Sequence, residues 1–289
     1  MACQSTLNRL ASTPRGAKTG RRYQKIVARH SELEQSFLEI FIEQHTQLRR
    51  ARTFATHPRE IAFHLDATDG PVHGHQRGRF FQGSYRTYCF RPLDIFCGQD
   101  PLCAMLRPAD SDGSAGSLLR VKRRVTRLRQ AWPDVVITLR ADSGFCRDNL
   151  RRGVGAKTIR SDICLDSQKN KRFITVIGRE QHEAKRAFEK SNPASRVFAD
   201  FTYRTWKRWS AERRVVGKAE HLSKGANPRF MVTNIPTTER AAKELYEQND
   251  CGRGEMENRI KEQQLCLFAD RTSCKTLRAN QLRHWLTSC

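Results

Sequence analysis

Two aspartates and a glutamate are the residues of this sequence whose types and settings could do chemistry. Asp66 follows the apolar run Ile61-Ala62-Phe63-His64-Leu65, and Asp142 closes the run that starts at Val135-Val136-Ile137-Thr138-Leu139. Carboxylates are depleted from strands, and strand ends in α/β sheets are favoured ligand sites. Each aspartate has an ordinary alternative. Asp66 could be a turn residue, although Asp69-Gly70 already supplies turn chemistry, and Asp142 could cap a helix starting near Phe145. A third carboxylate, Glu257, lies between Arg253 and Lys261 at i, i+4, i+8 spacing on one helix face. A solvated charge ladder has the same spacing.

Carboxylates amid cations are what a metal-dependent nuclease needs: their oxygens hold Mg2+, and the cations hold phosphates. The charge balance agrees. Lys+Arg 53 against Asp+Glu 30 gives +23, an excess that makes sense opposite a polyanion. The segment Tyr203-Arg204-Thr205-Trp206-Lys207-Arg208-Trp209, followed by Arg213-Arg214, interleaves aromatics with cations. That pattern suits backbone contacts and base stacking on DNA, and it equally suits a cationic hairpin that buries its tryptophans. No apolar run approaches the roughly 18 residues of a spanning helix, so no membrane partner is expected. Met1 to Gly20 has no leader-like apolar core. The ten cysteines contain no C-x-x-C pair and read as reduced thiols of a cytosolic protein.

A sheet must position these groups, and 289 residues allow one large domain or two modest ones. The first 56 residues read as a basic arm (Arg15, Lys18, Arg21, Arg22, Lys25) and then a helix with Leu33, Phe37, Ile40, Phe41, Gln44 and Leu48 on one face. Strands are predicted at 61–65, about 80–90 and about 93–106, the last broken near Gly98, as an antiparallel meander. A helix capped by Ser114 carries Leu118, Val121, Val125, Leu128 and Trp132 on one face. Its other face carries Arg120, Lys122, Arg123, Arg124, Arg127 and Arg129, and Pro133 stops it. Val135–Leu139 suits a strand buried on both faces. Residues 151–170 hold neither period, Phe173–Ile177 reads as a strand, and 197–232 as short strands. Residues 238–264 read as a helix broken near Gly252 and Gly254, with an amphipathic segment after it. The class is α/β with a mixed sheet.

Three phrases carry a resemblance. Leu-Asp-Ala-Thr-Asp-Gly-Pro-Val-His-Gly-His-Gln (65–76), Leu-Arg-Ala-Asp-Ser-Gly-Phe (139–145) and Arg-Gly-Glu-Met-Glu-Asn-Arg-Ile-Lys-Glu-Gln-Gln (253–264) resemble the DDE group 1 transposases, bacterial insertion-sequence enzymes. The similarity runs from about Pro58 through Arg213-Arg214-Val215-Val216-Gly217-Lys218-Ala219-Glu220 and Arg278-Ala279-Asn280-Gln281-Leu282-Arg283. It implies a ribonuclease H-like mixed sheet flanked by helices, with a β-rich insertion before the last catalytic helix. The corresponding segments are 1–56 (arm and helix), 57–190 (first part of the core), 191–236 (insertion) and 237–289 (helical remainder).

The resemblance further implies that Asp66, Asp142 and Glu257 are the catalytic residues and the ligands of two Mg2+ ions, with Mn2+ as substitute, roughly 3.5–4 Å apart. The family's Arg-x-x-x-Glu pattern selects Glu257 over Glu255 and Glu262, and puts Arg253 and Lys261 on DNA phosphate. The implied reaction is cleavage and transfer of DNA strands at element ends, by a homodimer on double-stranded DNA in the bacterial cytoplasm and nucleoid. The same carboxylates would serve a nuclease or resolvase without strand transfer, and the charge alone would serve a DNA-binding remnant. Three departures stand out. Asp250 occupies a position where the family has tyrosine, the nearest being Tyr246; residues 151–170 do not read as the family's helix-to-strand passage; and the chain stops at Cys289. Together they predict a truncated or partly degenerate copy.

Overall fold

The computed structural model describes residues 29–51, 58–72, 74–83, 85–154, 159–165, 171–191, 194–205 and 209–288. In chain order they form α1 (His30–Ala51), β1 (Glu60–Asp66), β2 (Gly70–Pro71), β3 (Phe80–Gln82), β4 (Thr87–Phe90), β5 (Leu93–Cys97), β6 (Asp100–Met105) and α2 (Ser117–Ala131). There follow β7 (Val136–Ala141), a 3-10 turn (Ser143–Phe145), α3 (Asp148–Val154), β8 (Ile159–Leu165), α4 (Lys171–Val176) and α5 (Gly178–Ser191). The chain continues through β9 (Ser195–Tyr203), β10 (Arg213–Leu222), β11 (Gly225–Ala226), β12 (Arg229–Thr233), α6 (Ala242–Cys266) and α7 (Leu277–Ser288). The described residues divide into two compact units. One is drawn from Met1–Pro58, Asp66–Asp134 and Met256–Cys289, the other from Arg59–Leu65 and Val135–Glu255. Among the described residues no helix is long and apolar enough to cross a membrane.

The second unit is built on a mixed sheet. β1, β7 and β8 run parallel, with Leu65 opposite Ala141 and Ala141 opposite Ile163. Beyond β8 the pairing turns antiparallel through β12, β10 and β9, so the β-rich segment continues the sheet instead of standing apart from it. Period-two alternation sorts β10 between two layers. Val215 and Ala219 pack with Phe173, Ile177 and Ala184, on and beside α4 and α5. Val216 packs with Met231, Ile235 and α6 residues Leu245 and Tyr246. Gly217 is required by closeness: a Cβ there would lie 3.0 Å from Ile177 Cγ2 and 3.2 Å from Phe230 Cε1.

The first unit packs α1 and α7 on the β5–β6 hairpin. Phe37 joins Ala104, Ala279, Leu282 and Trp285 in one buried cluster, and Phe41 meets Trp132 edge-on at 5.7 Å. Gln281 substitutes for a missing strand: its amide donates to Ala104 O at 2.9 Å and accepts from Leu106 N at 2.6 Å. A small separate sheet orders β2-β4-β3.

Several expectations change. Residues 80–90 and 93–106 each fold back on themselves, giving β3–β4 and β5–β6 in place of single strands; the break near Gly98 is the β5–β6 turn. Phe173–Val176 is helical and Ile177 is the turn after it, because Phe173 and Ile177, four apart, enter the same cluster. Residues 151–170 do make a helix-to-strand passage, α3 then β8, within what is described of them. The α6 helix is continuous through Gly252 and Gly254. Each glycine costs about 1 kcal/mol, which buried anchors on either side, Leu245 with Tyr246 and Met256 with Ile260, offset. Gly116, not Ser114, is the N-cap of α2. On α2's basic face Arg124 is buried, donating to Leu102 O at 2.6 Å, and Arg120 pairs with Glu34 at 2.7 Å. Ile40 is exposed, while Leu38 and Ile42 are buried. The basic residues of the arm before Arg29 lie outside the described residues.

Gly217→Val should lower stability by about 1–3 kcal/mol through overpacking against Ile177 and Phe230. Urea unfolding would show a lower midpoint at unchanged slope; an unchanged midpoint would mean that the sheet gives way at no cost.

Candidate active site

The two aspartates are placed by strand pairing. The last paired rung of β1 and β7 is Leu65 opposite Ala141, so the next residue on each strand is an aspartate. Asp66 Oδ1 accepts from Ala67 N at 2.8 Å. Asp142, in extended backbone at φ −77°, caps the 3-10 turn, its Oδ1 accepting from Gly144 N at 2.9 Å. The ordinary capping role is therefore real. That bond fixes the orientation of the carboxylate. Gly144 makes this approach possible, because a Cβ there would sit 3.1 Å from Asp142 Oδ1. Both aspartates are half-buried.

Glu257 and Lys261 are exposed on α6, beside Met256 and Ile260, which anchor that part of the helix on Phe96. The side chain of Arg253 lies outside the described residues, as does that of Asp250. Among the described residues no three His, Cys, Asp or Glu side chains are gathered as a metal-binding group. Strand register thus brings the Asp66 and Asp142 positions onto neighbouring strand ends, while Glu257 sits on its own helix.

The aromatic–cationic segment divides. Arg204 is exposed just after β9, and Trp206, Lys207 and Arg208 lie outside the described residues. Trp209 is buried: the Arg151 guanidinium stacks on it at 4.4 Å and Tyr203 meets it edge-on at 5.9 Å. Arg213 is half-buried beside Asp148 at 3.6 Å. Arg214 grips Asp200 through Nε and a terminal nitrogen and also donates to the carbonyls of Ile235 and Arg240. For Trp209 and Arg214 the packing alternative is the one the structure describes.

Sequence reasoning missed a polar row that underlies the strand ends. His64, Arg140, Asp162 and Thr233 are consecutive cross-strand partners on β1, β7, β8 and β12, so their side chains share one face. Asp66 and Asp142 come two residues beyond His64 and Arg140, on the same alternation. Thr233 Oγ1 donates to Asp162 Oδ1 at 2.7 Å. Burial pushes the Asp162 carboxyl up to about 6 against the opposing pull of the Thr233 bond, Arg140 and Arg240. Burial first, then the Arg140 charge, pushes His64 down to about 4. Burial also lowers the Arg140 guanidinium below its ordinary value. The signal was present in the sequence as His64 and Asp66 in one apolar run and Thr138, Arg140 and Asp142 in the other, each two residues apart, but the apolar residues between them hide it.

The two shifts act on stability in opposite directions. Asp162 is raised in the fold, so its contribution is complete below its unfolded value near 3.8 and is lost as pH rises through about 6. His64 is depressed, so its contribution is complete above 6.5 and is lost as pH falls through about 4. Asp162→Asn keeps an acceptor for Thr233 and cannot ionise. Relative to the unaltered protein it should gain stability between pH 4 and 6, by about 3 kcal/mol at most at roughly 1.4 kcal/mol per pKa unit, and then level off. Urea unfolding across that range tests this; a difference independent of pH would show that Asp162 is ionised throughout.

No curated protein matches the chain in sequence. Among solved structures, a piggyBac transposase in a synaptic complex with hairpin DNA aligns with 88% of this chain and 50% of its own, at 10% identity and a TM-score of 0.41. The alignment thus spans half the length of that transposase. The family model described as transposase DDE domain group 1 matches residues 1–289, and this chain belongs to that family.

Proposed function

We propose that the protein is a DNA transposase that cleaves and transfers strands at the ends of an insertion sequence, using Asp66, Asp142 and Glu257 together. The observation that carries this reading is the β1–β7 register, which makes the two motif aspartates the next residues after one rung, Leu65 opposite Ala141. The fold we infer for it is ribonuclease H-like. An antiparallel hairpin (β5–β6), a helix (α2) and a strand parallel to β1 (β7) follow the first aspartate in that order, and β9 to β12 lie in the inferred insertion, residues 191–236, ahead of the glutamate helix.

The donor chemistry suits hard divalent cations, since all three groups offer carboxylate oxygens. Ala67 N–H and Gly144 N–H each fix one oxygen of an aspartate, which leaves the orientation of the donors set before any cation arrives. Bound Mg2+ or Mn2+ would supply Lewis acidity at the phosphate and a more acidic oxygen nucleophile. Lys261, at i+4 from Glu257 and exposed, holds a DNA phosphate near the glutamate, and Arg253, four residues before Glu257 in the sequence, does the same. Arg204 and Arg213, and the segment Trp206–Arg208 between them, contribute further backbone contacts. The working form is a homodimer on paired element ends in the nucleoid.

The test is nicking of a supercoiled plasmid carrying the element's own ends, with Mg2+ or Mn2+. Asp66→Asn, Asp142→Asn and Glu257→Gln should each lower metal-dependent nicking at least about a hundredfold, the several kcal/mol expected of a metal site, while DNA affinity holds or rises. Nicking that survives all three substitutions overturns the assignment of the site. DNA binding with no nicking by the unaltered protein points to the non-catalytic remnant instead.

A further inference from the structure

The β3–β4 hairpin of the first unit exposes aromatic rings that its own core does not use. Phe81 is 58% exposed, Tyr88 46%, Phe80 42% and Tyr85 39%. Phe81 and Tyr88 are cross-strand partners, so they share a face, and their rings meet edge-on at 5.5 Å. Arg79 lies over the Tyr88 ring at 4.5 Å, its guanidinium also held by His75 Nδ1 at 2.8 Å. The result is a fixed surface in which a cation and two rings adjoin. Between Asp69 and Asp94 the sequence has four arginines and no acidic residue. Three of them, Arg77, Arg79 and Arg86, flank or form the hairpin, and Arg77 and Arg86 are exposed. The Tyr85 hydroxyl reaches Ala67 O at 3.4 Å, which ties the hairpin to the residue immediately after Asp66.

We infer that this hairpin is a stacking platform for an unpaired DNA base next to the strand being cut, with Phe81 and Tyr88 as the stacking rings and Arg77, Arg79 and Arg86 as the cations that hold its backbone. Three observations select that occupant. A fully paired duplex hides its base faces within its own stack, so exposed rings gain only from a base that has left it. A second copy of the chain seated on this face about a twofold axis would bring its arginines against the same arginines, with no acid between Asp69 and Asp94 to separate them. The tether at Ala67 puts the platform at the Asp66 end of β1, where a cut strand would part from its complement.

This inference rests on the DNA-processing function proposed above, and its test separates the two. The full chain is titrated onto a DNA duplex with a short unpaired flank containing 2-aminopurine, and onto the same duplex fully paired. The double substitution Phe81→Ala with Tyr88→Ala should weaken binding to the flanked DNA about tenfold or more, and abolish the fluorescence change, while affinity for the paired duplex moves less than about twofold. Phe81→Trp with Tyr88→Phe, which keeps both rings, should restore the flanked-DNA affinity. Far-UV circular dichroism and the urea midpoint confirm that each variant folds. Equal losses on both DNAs, or none, overturn the platform, as does a shift from dimer to monomer in sedimentation with both affinities unchanged. If the unaltered protein binds neither DNA, the proposed function fails and the platform fails with it.

Discussion

The parallel pairing of β1 with β7 is the constraint on which the rest depends. A β-strand alternates its faces with a period of two, so a slip of one residue would turn every side chain to the wrong layer. Here one face of the pair carries Ile61, Phe63, Leu65, Ile137, Leu139 and Ala141, all buried. Taking those six out of the core would cost about 1.5–3 kcal/mol for each of the larger ones, far more than any gain at a strand end. Core packing therefore fixes the register, and the register alone determines that the residues after Leu65 and Ala141 are neighbours in the sequence of rungs. The positions of the two aspartates are thus set by apolar side chains buried in the core.

The opposite face of the same strands carries a different burden. His64, Arg140, Asp162 and Thr233 form a polar line through a layer where water is scarce, and a buried ion without a partner is expensive. The fold manages this by shifting its titratable members toward neutrality, with His64 depressed and Asp162 raised by burial. Around them Arg240 pairs with Glu60 at 2.8 Å, and Thr138 donates to Glu60 at 3.2 Å. Glu220 shows another solution. Burial works to raise it, but Lys218, Arg196 and Asn227 together hold it below the ordinary carboxylate range. Phrases such as Arg213–Glu220 and Arg278–Arg283 then read as framework: Arg214, Lys218, Glu220, Asn280 and Gln281 all bond within the protein.

What the sequence made legible follows from range. The apolar runs ending at Asp66 and Asp142, the α2 face with Val121 and Leu128, and the break at Gly98 were readable because local period decides them. The helical state of Lys171–Val176 was not, since its β-branched residues fit a strand and only the shared cluster of Phe173 and Ile177 chooses the helix. Strand β8 was hidden because Arg160, Ser161 and Asp162 break its apolar run. Their partners are distant in sequence: Asn234 accepts from Ser161 N at 2.7 Å, and Thr233 bonds Asp162. The burial of Trp209 likewise depends on Arg151 and Tyr203. For the candidate site, the motifs named the carboxylates; which cations were free to meet DNA could not be read without tertiary partners.

Tertiary partners change what the net charge of +23 means. A count of arginines treats each as surface, yet several of the most basic stretches turn inward. Arg107 donates to the carbonyls of Arg91, Pro92, Gly113 and Ala115, and burial lowers it to about 10. Arg124 bonds Leu102 O and Arg214 clamps Asp200. These guanidiniums brace loops and helices because a planar fork of donors can satisfy several carbonyls at once. A polyanion meets only the remainder, and what matters is where that remainder is concentrated and unopposed by acid. The segment between Asp69 and Asp94 holds four arginines and no acidic residue of its own, and it combines them with exposed rings tethered one residue from Asp66. Electrostatic attraction by the whole chain can bring DNA to the protein, but it cannot select a position on it. Selection requires a local surface whose chemistry differs from its surroundings, and the β3–β4 hairpin differs from the braced arginines elsewhere in that respect.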